Sequence, residues 1–341
     1  MAADLATAWH GLPHAFGKPG LCGKLRQRPE DFQVSEQLSF TPSGDGEHLL
    51  LQIRKSGWNT GDVASWLSRA LGVKRRSVTF AGRKDRHAVT EQWFGVHLPG
   101  RWPDLPELPP GLELLQSTRH GRKLRLGALR ANRFRIRLTE LQGPREVLHR
   151  RLVRIARRGV PNYFGAQRFG IDGGNLAGAE RLFRGQRVSD RPLRGLYLSA
   201  ARALLFNQVL AQRVRRNCWD QALPGDLMTF SGSRSIFPAD DTTACDPRIM
   251  ALDLHPTGPL PGIPGMQPEA AARELEERVL QGHAPMLQVL LDYRLRAERR
   301  ALRLPVAELG WFEEDGALAL SFSLPPGAFA TAVIREIIDI V

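Results

Sequence analysis

From Arg133 to Leu138 the chain alternates arginine with a large apolar residue, Arg133-Phe134-Arg135-Ile136-Arg137-Leu138. A period of two belongs to a β-strand, whose successive side chains point to opposite faces. The segment therefore commits one face to a core and the other to cations. Immediately afterwards the period changes. Between Arg145 and Arg158, Leu148, Leu152 and Ile155 recur at helical spacing, while Arg150, Arg151, Arg154, Arg157 and Arg158 occupy the other side. That side fits a solvated helix surface and an RNA-facing one equally well.

The same two periods organise the rest. Phe32 to Glu36 alternates, and Leu49 to Ile53 is an apolar run of strand length. Further strands are expected at 78–81, 92–97, across 112–141, near Trp311 and at 318–324. Asn59 and Thr60 cap a helix carrying Val63, Trp66, Leu67, Ala70 and Leu71, which Gly72 stops. Helices are also expected at 198–216 and 269–281, and the tail from Thr331 suits a helix or a strand. Residues 99–111 and 253–268 hold five prolines each and are expected to be irregular. No internal repeat is present. A more helical stretch from about Gly159 to Leu302 thus interrupts a strand-rich domain.

Charge narrows the partners. Lys and Arg outnumber Asp and Glu by 48 to 35, a net +13, and such a surface draws in polyanions. A general bias toward arginine explains the same excess. No apolar run approaches the roughly 18 residues of a membrane-spanning helix. The opening MAADLATAWHG lacks the basic start and apolar stretch of a secretory signal. Cys22, Cys218 and Cys245 are widely spaced, which excludes a disulfide framework and a CxxC metal knuckle. The expectation is a cytoplasmic protein with no membrane partner.

Four clusters could carry chemistry. In the turn GRKDRH (82–87), a glycine follows a strand and one carboxylate is set among cations. Positive neighbours keep Asp85 ionised and nucleophilic. An exposed turn whose charges pair with one another explains the string too. Asn132 offers a donor and an acceptor to a base edge, and Phe134 offers a stacking surface or a core residue. VPNYFGAQRFG (160–170) gathers aromatics, glycines and Arg168, as an RNA contact or a domain hinge. Phe329 follows a Pro-Pro-Gly turn and lines a pocket or fills the core. GxGxxG, GxxxxGK[ST], HExxH and the HxE/CxxC pair of deaminases are all missing, so no nucleotide cofactor and no metal are expected.

Taken in order, these clusters closely resemble the TruD family of tRNA pseudouridine synthases. The matching segments are RPEDFQVSE (28–36), FAGRKDRHAVTEQWF (80–94), LRANRF (129–134), VPNYFGAQRFG, SAARALLFNQVL (199–210) and LPPGAFATAVIRE (324–336), so the likeness runs from about Leu21 to the end. The joint occurrence of GxKDR and PNYFGxQRFG is far more specific than either alone. The resemblance implies an α+β protein with a pseudouridine-synthase catalytic domain built on a mixed or antiparallel sheet, residues 1–158 plus 303–341. An inserted α/β TRUD domain, 159–302, interrupts it. It also implies Asp85 as the catalytic residue, with Phe32, Asn132 and Phe329 lining the uridine site. Lys84 and Arg86 are assigned with them as supporting, substrate-binding residues. The implied partner is tRNA, modified at uridine 13 in the D-stem region by a monomer that needs no cofactor. Asp85 attacking C1′, attacking C6, or taking the C2′ proton are all compatible with these residues. The rival is a non-catalytic RNA-binding or tRNA-chaperone protein. The GRKDR turn discriminates, since an aspartate among phosphate-binding cations only weakens a pure binder. A metal-dependent nuclease wants clustered carboxylates instead.

Overall fold

The computed structural model describes residues 11–105, 107–240 and 242–341. The opening segment 1–10, read above for a signal, lies outside the described residues, as does Pro106 of the proline-rich loop. In chain order come β1 (Cys22–Leu25), β2 (Phe32–Leu38), β3 (His48–Lys55), α1 (Thr60–Ala70), β4 (Val78–Phe80), β5 (Val89–His97), β6 (Leu112–His120) and β7 (Leu129–Gln142). The middle holds α2 (Arg145–Arg158), β8 (Val160–Pro161), α3 (Ala166–Phe169), α4 (Gly174–Phe183), α5 (Arg191–Arg215), β9 (Leu227–Phe230) and β10 (Phe237–Pro238). It continues through α6 (Pro247–Met250), β11 (Leu254–Leu260), α7 (Ala270–Leu280), α8 (Ala284–Asp292), β12 (Glu298–Ala301) and β13 (Arg303–Leu304). The chain closes with β14 (Ala307–Glu314), β15 (Ala317–Leu324), α9 (Ala330–Ile337) and β16 (Asp339–Ile340). Helices and mixed sheets make this an α+β protein.

Contacts divide the chain into two compact units. The sheet unit comprises 21–143, 307–327 and 339–341. Its ten strands run β14-β15-β7-β2-β5-β3-β6, with β1 joining β7 and β16, and β4 joining β5. Pairings β2–β5 and β1–β16 are parallel and the others antiparallel. The alternation read at 133–138 is realised in β7. Phe134, Ile136 and Leu138 are buried, and Arg133, Arg135 and Arg137 are exposed. Helix α1 lays Val63, Ala64 and Leu67 against Leu51, Ile53 and Phe94 of the sheet. Gly72, at φ +61°, supplies the left-handed residue that ends it.

The helical unit comprises 11–20, 144–306 and 328–338. Its core centres on α5, where Leu204, Leu205, Phe206 and Leu210 are buried with Phe169, Leu176, Trp219 and Leu290. This partition follows different lines from the sequence-based domains, because α2 and α9 pack in the helical unit. The cause is α2 itself. Of the five arginines read as its outer face, Arg151 is buried at 6% exposure. It donates to the carbonyls of Glu336 (3.0 Å) and Gly17 (2.9 Å). Arg158 is bonded to Asp220 at 2.8 Å. Of the five, Arg150, Arg154 and Arg157 remain exposed.

A second difference concerns 253–268, expected to be irregular. Residues 254–260 form β11 despite Pro256 and Pro259. The strand changes partner midway, pairing with β9 through 254–256 and with β12 through 257–260. Each half therefore has an unpaired side, where a missing N–H is no loss. The Pro256 carbonyl still serves as an acceptor, from Leu302 N at 2.8 Å.

Arg213 and Asp226, both with fully buried side chains, pair inside the helical unit, with Nη1 3.0 Å from Oδ2. Removing one partner strands the other charge. Arg213→Met is expected to lower stability by about 3–5 kcal/mol. The joint change with Asp226→Leu should recover a large part of that, both read by denaturant unfolding.

Candidate active site

Strand register alone assembles one face of the sheet. Lys55 of β3 lies opposite Thr90 of β5, Thr90 beside Val34 of β2, Val34 opposite Phe134 of β7, and Phe134 opposite Phe322 of β15. One residue pair further along, Glu36 meets Asn132, which meets Leu324 on its other side. Because side chains alternate, these two rows share a face. The opposite face carries Arg54, Glu91, Ser35 and Arg133 in register. A cleft of about 510 Å³ lies on that opposite face, lined by Arg133, Arg135, Arg137 and the exposed Phe312. It does not include Asp85.

The GRKDRH turn is fixed to the first face at many points. Gln92 Nε2 donates to the Gly82 carbonyl at 2.6 Å, and Thr60 Oγ1 takes the Lys84 N–H at 3.0 Å while donating to Gln92 Oε1. Gly57 N donates to the Arg86 carbonyl, and Lys55 Nζ to the Asp85 carbonyl, each at 3.0 Å. Lys84 turns inward, with Nζ 2.6 Å from Glu36 Oε1. The Glu36 side chain is fully buried, and its other oxygen accepts the Trp93 N–H at 2.8 Å. Burial pushes the Glu36 carboxyl above its ordinary range, and Lys84 opposes that shift. Lys84 is thus tied to a carboxylate, and Arg86 is exposed.

Asp85 points elsewhere. Its Oδ2 is 3.2 Å from Arg26 Nη1, and its Oδ1 accepts the His87 N–H at 3.0 Å. Arg26 in turn lies 3.8 Å above the Phe32 ring, so one guanidinium joins the expected catalytic carboxylate to the expected uridine-lining ring. Burial lowers the Arg26 guanidinium, while Asp85 sustains its charge. Arg26 also stands at φ +62°, a left-handed conformation costing a side-chain-bearing residue about 1–2 kcal/mol. Phe32, Phe134 and Phe322 continue behind it as a wall of rings, at centroid distances of 6.0 and 5.4 Å. Asn132 Oδ1 is buried and accepts no hydrogen bond among the described residues.

The structure therefore gathers Asp85, Phe32, Lys84, Arg86 and Asn132 in the sheet unit. Phe329 belongs to the helical unit, at the start of α9. There it packs against Phe164, with ring centroids 6.0 Å apart, and Arg300 lies 4.2 Å over the same Phe164 ring. Gly165 is required beside them, since a Cβ there would come within 2.6 Å of Thr331 Oγ1. Sequence reasoning missed Arg26, Glu36 and Lys55. A signal for two of them was present. Glu36 shares its strand face with Phe32 and Val34, and Lys55 shares its own with Leu51 and Ile53, so each is a charge on an apolar face.

Comparison with known proteins agrees with this architecture. The family model for tRNA pseudouridine synthase D (TruD) matches residues 12–186 and 175–337. A protein of Azotobacter vinelandii named tRNA pseudouridine synthase D is 48% identical over 334 residues, covering 96% of this chain and 94% of that one. One of the same name from Ectopseudomonas mendocina is 47% identical, covering 96% and 95%. A crystal structure from Methanosarcina mazei, titled as a TruD protein, shares the fold with a TM-score of 0.72. It is 22% identical and covers 99% of this chain and 98% of that one. The chain belongs to the tRNA pseudouridine synthase D family.

Proposed function

We propose that this chain is a tRNA pseudouridine synthase that isomerises uridine 13, in the D-stem region of tRNA, with Asp85 as the catalytic residue. The observation that carries the assignment is the contrast between the two carboxylates of the site. Glu36 is sealed, at 0% side-chain exposure, whereas Asp85 retains 22% with Arg26 as its counter-charge. Only Asp85 is presented to an incoming group.

The reaction breaks the N1–C1′ bond, turns the uracil and joins C5 to C1′. The C5 proton leaves and N1 gains one, so nothing is consumed. A carboxylate beside a sugar carbon of cationic character suits this step, as in glycoside hydrolysis. The target base must leave its stack to reach Asp85. Asn132 Oδ1, a buried acceptor, suits an N–H of the base edge. Phe32, which lies behind Arg26, is proposed to line the uridine site, and Phe329 is proposed for that role from its place in the family's motif. Lys84 supports the site through Glu36, and Arg86 lies in reach of the RNA backbone. The matching functional division is a catalytic domain of 1–158 plus 303–341 with an inserted domain of 159–302. Among the described residues no helix is long and apolar enough to cross a membrane, and the cysteines are free thiols. We place the enzyme in the cytoplasm, acting as a monomer.

Pseudouridine mapping of a uridine-containing tRNA transcript, with no metal or nucleotide added, tests this. Native protein should convert one D-stem uridine. Asp85→Asn should bind the same RNA and lose turnover on the order of 10⁴-fold. Native protein that binds tRNA yet leaves every uridine unchanged across many transcripts would return the assignment to a binding protein. Asn132→Ala should lower kcat/KM about 10- to 100-fold, as expected for one lost hydrogen bond worth about 1–3 kcal/mol.

A further inference from the structure

Lys55 is the last residue of β3 and has 0% exposure. Both of its hydrogen bonds among the described residues go to main-chain carbonyls, Trp58 at 2.8 Å and Asp85 at 3.0 Å. Lysine is almost never buried in this way unless it is paired, because its charge loses solvation. Packing alone would be served by methionine or leucine, as Leu51 and Ile53 serve it on the same side of β3.

The neighbouring charges show what the ammonium adds. Arg26 faces Asp85, and Lys84 faces Glu36, so two cations answer two carboxylates. Lys55 is a third cation in the same enclosure. The groups acting on it are Asp85 and Lys84 from the turn and Glu36 from β2. Its bond to the Asp85 carbonyl is also a direct hold on the residue whose carboxylate must be placed. With Gly57 N on the Arg86 carbonyl, the end of β3 and the residues just after it grip two consecutive peptide groups of the turn.

We propose that Lys55 is a positioning residue for the isomerisation, fixing the Asp85 main chain and supplying a buried positive charge beside its carboxylate. This rests on Asp85 being the catalytic residue. Burial lowers the Lys55 ammonium to about 8, with Asp85 resisting the shift. A lowered base is charged below that pH and neutral above it. The chemical step should therefore slow as pH rises through about 8, while tRNA binding follows the exposed arginines and does not.

The test is the single-turnover rate of pseudouridine formation from pH 6.5 to 9, with tRNA affinity and thermal unfolding measured in parallel. Native protein should lose rate across pH 8. Lys55→Arg, which stays charged, should retain activity within about tenfold and lose that alkaline fall. Lys55→Met should slow the step by about 100-fold or more, with affinity for the transcript changed less than about threefold. A native profile flat to pH 9 would overturn the proposal even if neither variant folds. So would a Lys55→Met rate within about threefold of native, or an alkaline fall kept unchanged in Lys55→Arg. Failure of the Asp85 assignment shows separately, as activity in Asp85→Asn.

Discussion

A lysine and a glutamate that meet out of reach of water, Lys84 Nζ and Glu36 Oε1 at 2.6 Å, decide which way the Gly82–His87 turn faces. A lone Glu36 in that position would be neutral or would oppose folding, since burial alone disfavours its charge. Once Lys84 answers it, the following residue is directed away from the interior. Asp85 then meets Arg26 instead of Lys84. The three charged residues Lys84, Asp85 and Arg86 thus take different environments although adjacent in sequence. The first is structural, the second is held at the site, and the third is open to water. An exposed loop of self-pairing charges, the alternative that the string alone allowed, would not produce this sorting.

The sheet makes that sorting reproducible. The site side chains come from β2, β3, β5 and β7, so their spacing is fixed by strand separation and register. A slip of one residue in β2 would send Phe32, Val34 and Glu36 to the arginine face and bring Gln33 and Ser35 in their place. Register is protected because each row holds a large apolar residue, Val34 with Phe134 and Phe322, that only the covered face can accept. The rigidity the chemistry needs is thus the rigidity of a packed sheet. The turn adds only its anchored hydrogen bonds.

Much of this was legible before any coordinates. The alternation at 133–138 specified a strand, its two faces and the position of Asn132 one step before the buried phenylalanine. The order of the motifs singled out Asp85 as the expected catalytic residue. The link of Arg26 and Lys55 to Asp85 was not legible in the same way, because Asp85 lies 59 and 30 positions away and only the folded sheet brings them together. The prolines of β11 misled for a related reason. Proline forbids a bonded N–H, and a strand that changes partner halfway has a side on which none is needed. Counting arginines on α2 misled because helical spacing shows which residues share a side and not what packs there. Arg151 found carbonyls of Gly17 and Glu336.

That last case bears on the basic surface. Arg119, Arg151, Arg213 and Arg303 are buried. Arg213 neutralises Asp226, Arg303 donates to His255 Nδ1 and to backbone carbonyls, and Arg151 donates to the carbonyls of Glu336 and Gly17. These cations serve architecture, so the net +13 overstates what faces a polyanion. What remains outside, including Arg150, Arg154 and Arg157 on α2, supplies attraction that salt screens and that does not distinguish one tRNA from another. On the proposed assignment, discrimination would come from the enclosed groups: a ring wall, an amide oxygen with no donor among the described residues, and a carboxylate held at both oxygens. The division has a kinetic meaning. On the proposed assignment, exposed arginines would govern how often an RNA arrives, and the charges around Asp85 whether the base that enters is turned over.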